Sequence, residues 1–157
     1  MSRVALLAVV TTSSLIAACS GDDGGTAGGP AYFVSLDADD LHYEQQTSGG
    51  IANADGTFTF AAEFDPAHAI GVSLTAPLEV GTFPTGVGKN VFIMFNSADN
   101  SFTVGGSRGA GAFTISSIEG DLVSGTFAGD GISVDGTNTP VSITNGTFQF
   151  EIVIDNR

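Results

Sequence analysis

The sequence predicts an all-β chain folded as an antiparallel β-sandwich, jelly-roll-like or similar, with a small closed β-barrel as the alternative. Three observations carry this. Glycine is spread over the 157 residues at 22 positions. From Ala31 onward Thr, Val, Ile and Phe dominate the apolar segments, and no stripe of 3.6-residue period persists beyond a turn. Short alternating runs punctuated by turn dipeptides recur instead, the pattern of a sandwich or barrel.

Residues 1–18 have the anatomy of a secretory signal peptide: Arg3 in a basic start, an apolar run from Val4 to Val10 continuing weakly through Leu15 and Ile16, and small residues before a cut. A spanning helix needs about 20 predominantly apolar residues, and here Thr11, Thr12, Ser13 and Ser14 interrupt the run. Cys19, the only cysteine, closes Leu15-Ile16-Ala17-Ala18-Cys19. This resembles the lipobox of bacterial lipoproteins. The resemblance implies an acylated Cys19, cleavage between Ala18 and Cys19, and a membrane partner reached through the acyl anchor. Ser20 after the cysteine implies, by the same resemblance, release to the outer membrane.

Residues 19–30 form the acylated cysteine and a Gly-rich tether, Ser20 to Pro30, without an apolar anchor. Such chains behave as flexible coils, spanning roughly 18 Å at this length. Residues 31–157 are one domain, large enough to bury a core without disulfides. With Cys19 acylated no thiol is left to form one.

Removing the signal leaves Lys89, Arg108 and Arg157 against 17 acidic residues. Binding to phosphate backbones needs clustered Lys and Arg, so nucleic acid is excluded. Attraction to anionic lipid is excluded too, which leaves the acyl group as the anchor. Net charge of this size favours solubility and a monomer.

Within the domain the expected strands are Ala31–Leu36, Leu41–Gln45, Thr57–Phe64, Ala69–Leu74, Asn90–Phe95, Ser101–Val104, Ala112–Ile118, Leu122–Ala128, Ile132–Val134, Val141–Thr144 and Thr147–Ile154. Asn145-Gly146 predicts a two-residue type I′ hairpin. Thr144 then faces Thr147, Ile143 faces Phe148 and Val141 faces Phe150, with Ser142 and Gln149 on the other side. Glu119-Gly120-Asp121 predicts a three-residue loop that places Phe113 opposite Phe127 and Ile115 opposite Gly125. Asp55-Gly56 predicts a third turn, with Ile51 opposite Phe60. The triplet Gly-Thr-Phe starts at Gly56, Gly81, Gly125 and Gly146, too irregularly for a solenoid or propeller. Its glycine permits a turn or close approach, its threonine faces out and its phenylalanine anchors inward. Twelve phenylalanines supply the core, each worth roughly 1.5–3 kcal/mol when fully buried.

Candidate chemistry is sparse. Gly105-Gly106-Ser107-Arg108-Gly109 has the letters of a nucleophile elbow, but that device needs a following helix and a strand follows instead. Asp37, Asp39, Asp40 and Glu44, with His42, form the densest group of oxygen ligands. Leu41 and His42 stand where a calcium loop requires a further ligand and glycine, so the segment reads as an acidic turn, with a calcium-assisted site completed from other loops left open. Asn53 to Gly56 and Asp135 to Asn138 read as turns. Gly86 to Asn90 lacks phosphate-loop spacing. One cysteine and two histidines leave no expected zinc, and no cofactor or catalytic residue is expected. The chain has no Trp and only Tyr32 and Tyr43 as candidate stacking platforms for sugars.

Phe113-Thr114-Ile115, Val123 to Phe127 and the closing Asn145 to Phe148 resemble strands of a group of uncharacterised Gram-negative bacterial lipoproteins. Leu78 to Pro84 is similar to the loop before that group's middle strands. The resemblance implies a β-rich lipoprotein domain and imports no functional residue. The expected role is lipid-anchored and non-catalytic: binding, interaction or envelope structure. An apolar ligand-carrying barrel and a calcium-assisted binding module stand as alternatives, and an enzyme ranks last.

Overall fold

The computed structural model describes residues 32–46, 50–53, 56–86, 88–104 and 109–155. Within them lie β1 (Phe33–Ala38), β2 (Leu41–Gln46), β3 (Gly50–Asn53), β4 (Phe58–Asp65), β5 (His68–Leu74), β6 (Gly81–Thr85), β7 (Val91–Asn96), β8 (Ser101–Val104), β9 (Gly109–Glu119), β10 (Leu122–Ser133) and β11 (Pro140–Asp155). The expected all-β, sandwich-like class is borne out. The signal segment, Cys19, the tether and the Gly105–Arg108 part of the elbow-like sequence lie outside the described residues.

All eleven strands join one sheet that folds over on itself. One layer runs β2-β1-β11-β10-β9-β6 and the other β3-β4-β5-β7-β8. The layers are stitched by a parallel β11–β3 ladder, by two residue pairs between β10 and β8, and by the single parallel pair Thr85↔Val91. The pairings therefore close a circuit, but phenylalanines fill the space between the layers. Phe60 of β4 meets Phe113, Phe127, Phe148 and Phe150 of the facing layer, with centroids 4.8–6.4 Å apart. Each such pair adds about 0.5–1.5 kcal/mol to simple burial. The burial alternates along β1, β4, β5 and β7 with a period of two, as one buried face per strand requires.

The Asn145-Gly146 hairpin is corrected. Both residues sit inside β11, which runs unbroken through them. Thr144 and Thr147 pair with Asp37 and Ser35, so β11 has one more residue here than β1, and it has one more than β10 as well. This is a bulge, with Asn145 at φ 50° supplying the left-handed residue. The extra residue shifts the pleat by one, so Val141 and Ile143 before it and Phe148 and Phe150 after it all point inward. A two-residue hairpin imposes the same shift, and for that reason the apolar pattern fits both.

The Glu119-Gly120-Asp121 loop is corrected in size and borne out in register. Glu119 pairs with Leu122 across a two-residue turn, and a bulge at Ser116 then restores Phe113↔Phe127 and Ile115↔Gly125. Ile51 lies opposite Thr59 rather than Phe60, which leaves it facing solvent. Strand β6 was not expected, and β3 is the arm before Asp55-Gly56 that holds Ile51. The expected Val141–Thr144 and Thr147–Ile154 strands merge into β11, and Ile132 and Ser133 belong to β10.

Candidate functional site

The outer face of the β2-β1-β11-β10-β9-β6 layer carries a single row of hydroxyls, one on each of five strands, which ends at Glu44 of β2. Thr82, Thr114, Thr126, Thr147 and Ser35 are consecutive cross-strand partners on β6, β9, β10, β11 and β1. Strand spacing sets them roughly 4.8 Å apart. Thr82 and Thr114 hydroxyls bond at 3.0 Å and Ser35 and Thr147 at 2.7 Å. Ser117 and Ser124, in the next row, bond at 2.9 Å. Three of these threonines are the centres of Gly-Thr-Phe triplets, and they face out while Phe127 and Phe148 are buried, as the sequence predicts.

Beside the row the face dips into a shallow depression of about 410 Å³, lined by Ala112, Thr114, Thr126, Ala128, Asn145 and Thr147. Its depth comes from small side chains: Ala112 and Ala128 are direct partners where the neighbouring row has threonines. Its rim is set by the bulge. Asn145 Nδ2 donates to Asp37 Oδ2 at 2.7 Å, and His42 Nδ1 lies 2.6 Å from Asp37 Oδ1. These partners, Asn145 first and His42 second, hold the Asp37 carboxyl below its ordinary range.

The acidic cluster therefore has a structural account. Asp39 and Asp40 are the two central residues of the β1–β2 hairpin, at φ 47° and 70°, which is type I′ geometry. Asp39 Oδ1 accepts the Ser142 N–H at 3.2 Å, and Ser142 Oγ donates to Asp130 at 2.9 Å. Glu44 Oε2 stands 3.9 Å from His42 Nε2. The structure joins Asp37, Asp39 and His42 to the bulge and leaves Asp40 at the exposed turn. Among the described residues, no three His, Cys, Asp or Glu side chains converge as a metal cluster.

Both histidines are held by carboxylates. His68 Nδ1 lies 2.8 Å from Asp65 Oδ2, and its ring packs on Tyr43 at 5.0 Å. The Ala67 N–H, followed by His68, holds the Asp65 carboxyl low. Burial, followed by the Asp65 charge, raises the Tyr43 phenol. Asp135 accepts from Thr137 and is held low by Ser133 and Thr137, which makes Asp135 to Asn138 the turn the sequence predicts.

What this face offers a ligand is a set of neutral donors and acceptors over a small apolar floor, rimmed by an amide and a carboxylate. Such a lining is chemically matched to hydroxyls and C–H faces, and among the described residues it offers no cation to pair with a phosphate. Sequence reasoning named the rim residues Asp37 and His42 but missed the row and the floor. The sequence showed each triplet threonine facing out, and their alignment follows from which strands pair.

No protein-family model, curated protein or solved structure matches this chain. Among the described residues no helix is long and apolar enough to cross a membrane.

Proposed function

We propose that the protein is a lipid-anchored cell-envelope β-sandwich, held in the outer membrane through an acylated Cys19, whose head serves a non-catalytic binding or structural role. The anchoring reading rests on Leu15 to Cys19 and their context. The binding reading rests on one observation, the depression beside the hydroxyl row, whose lining suits an uncharged, hydroxyl-bearing partner. Its neutrality on so acidic a chain supports that reading. The packed phenylalanines speak against an apolar carrier, because their rings are in contact with one another rather than with a void.

Fatty-acid labelling tests the anchor: Cys19→Ser is expected to lose the label and the cut after Ala18, and normal labelling of the variant would overturn the reading. Binding is tested by retention on immobilised envelope polysaccharide. The native head is expected to be retained and Ala128→Trp, which fills the depression from its floor, is expected to elute. Equal behaviour of the two removes the depression from the function.

A further inference from the structure

We infer that the outer face of the β3-β4-β5-β7-β8 layer is a membrane-resting surface, which the lipid anchor presses against the bilayer. The inference rests on the anchoring reading and on a second, uncharged row. Val153, Ile51, Thr59, Ser73 and Phe92 are consecutive partners on β11, β3, β4, β5 and β7. Four strand spacings put Val153 and Phe92 roughly 19 Å apart. Val153, Ile51 and Phe92 are 59%, 47% and 41% exposed and share one row, and it is contiguous rather than single apolar exposure that marks a contact surface. The adjoining row is Ala61, Gly71 and Met94, with Met94 also exposed. A cleft of about 190 Å³, almost wholly apolar, opens between Phe92 and Met94 over Gly71. A methyl group at Gly71 would meet nothing within 4 Å, so the gap is real space on the surface.

Charge distinguishes the two outer faces. Neither of these rows contains a charged residue, although the chain has 17 acids. Exposed Glu63 on β4 and Glu151 on β11 bound these rows, whereas the opposite face carries Asp37, Glu44 and Asp130 within its own rows. Desolvating a carboxylate against lipid is costly and desolvating Phe or Met is favourable. The two uncharged rows suit contact with an uncharged bilayer, with the acids left at their margins.

The anchor's point of entry selects the same side. The N-terminal chain joins the domain at Tyr32, whose hydroxyl donates to Glu151 at 2.8 Å. Glu151 precedes Val153 on β11 by two residues, about 7 Å of strand. The segment from Cys19 to Ala31 thus joins the domain beside the end of the apolar row, and a Gly-rich sequence of that length is expected to span roughly 18–20 Å. An acyl group tied so closely holds this row at high local concentration against the lipid surface. A bilayer is the occupant the tether geometry favours over a protein.

Because the chain has no Trp, single tryptophans report each face separately. The lipidated full-length mature protein is reconstituted in phosphatidylcholine vesicles whose lipids are brominated near the headgroup end of the acyl chains. Phe92→Trp is expected to be quenched several-fold more than Thr126→Trp on the opposite face, with a blue-shifted emission. Co-floating protein with equal quenching of both, or stronger quenching at residue 126, overturns the resting face while the anchor stands. Protein that does not co-float overturns the anchor and this inference with it.

Discussion

Phe148 occupies the space that a side chain at its cross-strand partner Gly125 would need: a Cβ there would stand 2.6 Å from the ring and 1.9 Å from the Thr114 carbonyl oxygen. Gly146 and Phe127 repeat the relationship in reverse, because Gly125-Thr126-Phe127 pairs antiparallel with Gly146-Thr147-Phe148. Each triplet supplies the ring that covers the other's glycine, a pairing known to stabilise glycine in strands. Gly125→Ala is therefore expected to cost about 1–3 kcal/mol or more through overpacking. Gly71→Ala, with open space around it, is expected to stay within about 0.5 kcal/mol of wild type or gain slightly. Urea titration of both variants checks the contrast, and equal midpoints would contradict the packing described.

Asn145 holds the β11 bulge by two separate means, its left-handed backbone and its bond to Asp37. Asn145→Gly keeps the first and loses the second. Asn145→Val loses both, because a β-branched residue at φ 50° is strained by about 1–2 kcal/mol. The expected order of urea midpoints is wild type, then Gly, then Val. A valine variant as stable as the glycine variant would mean that the bulge does not persist in solution.

The lowered Asp37 carboxyl gives a pH signature. Its ordinary value is 3.8 and its folded value lies below that. The carboxylate form is thus favoured by folding, and the stabilisation is present above 3.8 and disappears as pH falls through the folded value. The gap in melting midpoint between wild type and Asp37→Asn is expected to be open near pH 5 and to close toward about pH 2. Comparing the two proteins cancels the relief of acidic repulsion that both share. A gap unchanged at the acid end would show that Asp37 makes no charge-dependent contact.

Calcium is expected to leave the melt where it is. Asp37 and Asp39 already accept bonds from Asn145 and the Ser142 backbone, and Asp40 stands apart at the turn. A ligand that binds only the native state must raise the midpoint, by about 2.7 kcal/mol of stability at a hundredfold excess over its dissociation constant. A rise of several degrees in millimolar calcium would reveal a site built from residues beyond this cluster.

The fold class was legible because alternation, turn residues and glycine content all agree with one architecture. Individual connections were less so. Asn145-Gly146 satisfies a hairpin and a bulge equally, since both move the side-chain phase by one residue, and only the identity of the neighbouring strands separates them. The Glu119 loop concealed a similar equivalence: a three-residue loop and a two-residue turn followed by a bulge at Ser116 give the same distant pairs. Strand β6 was hidden by Pro84, which is tolerated where its missing N–H is not needed by the ladder. Of the candidate site, the outward threonines were readable one by one. Their alignment into a row depends on long-range register, which no local pattern encodes.

Strand β11 is the last of the eleven to be synthesised, yet it pairs with β1, β10 and β3 and thereby joins both layers. The first strand has no permanent neighbour on its inner edge until more than a hundred residues have followed it. Contacts so distant in sequence delay folding until the partner arrives. A chain built this way completes its sandwich only once its final strand has been made.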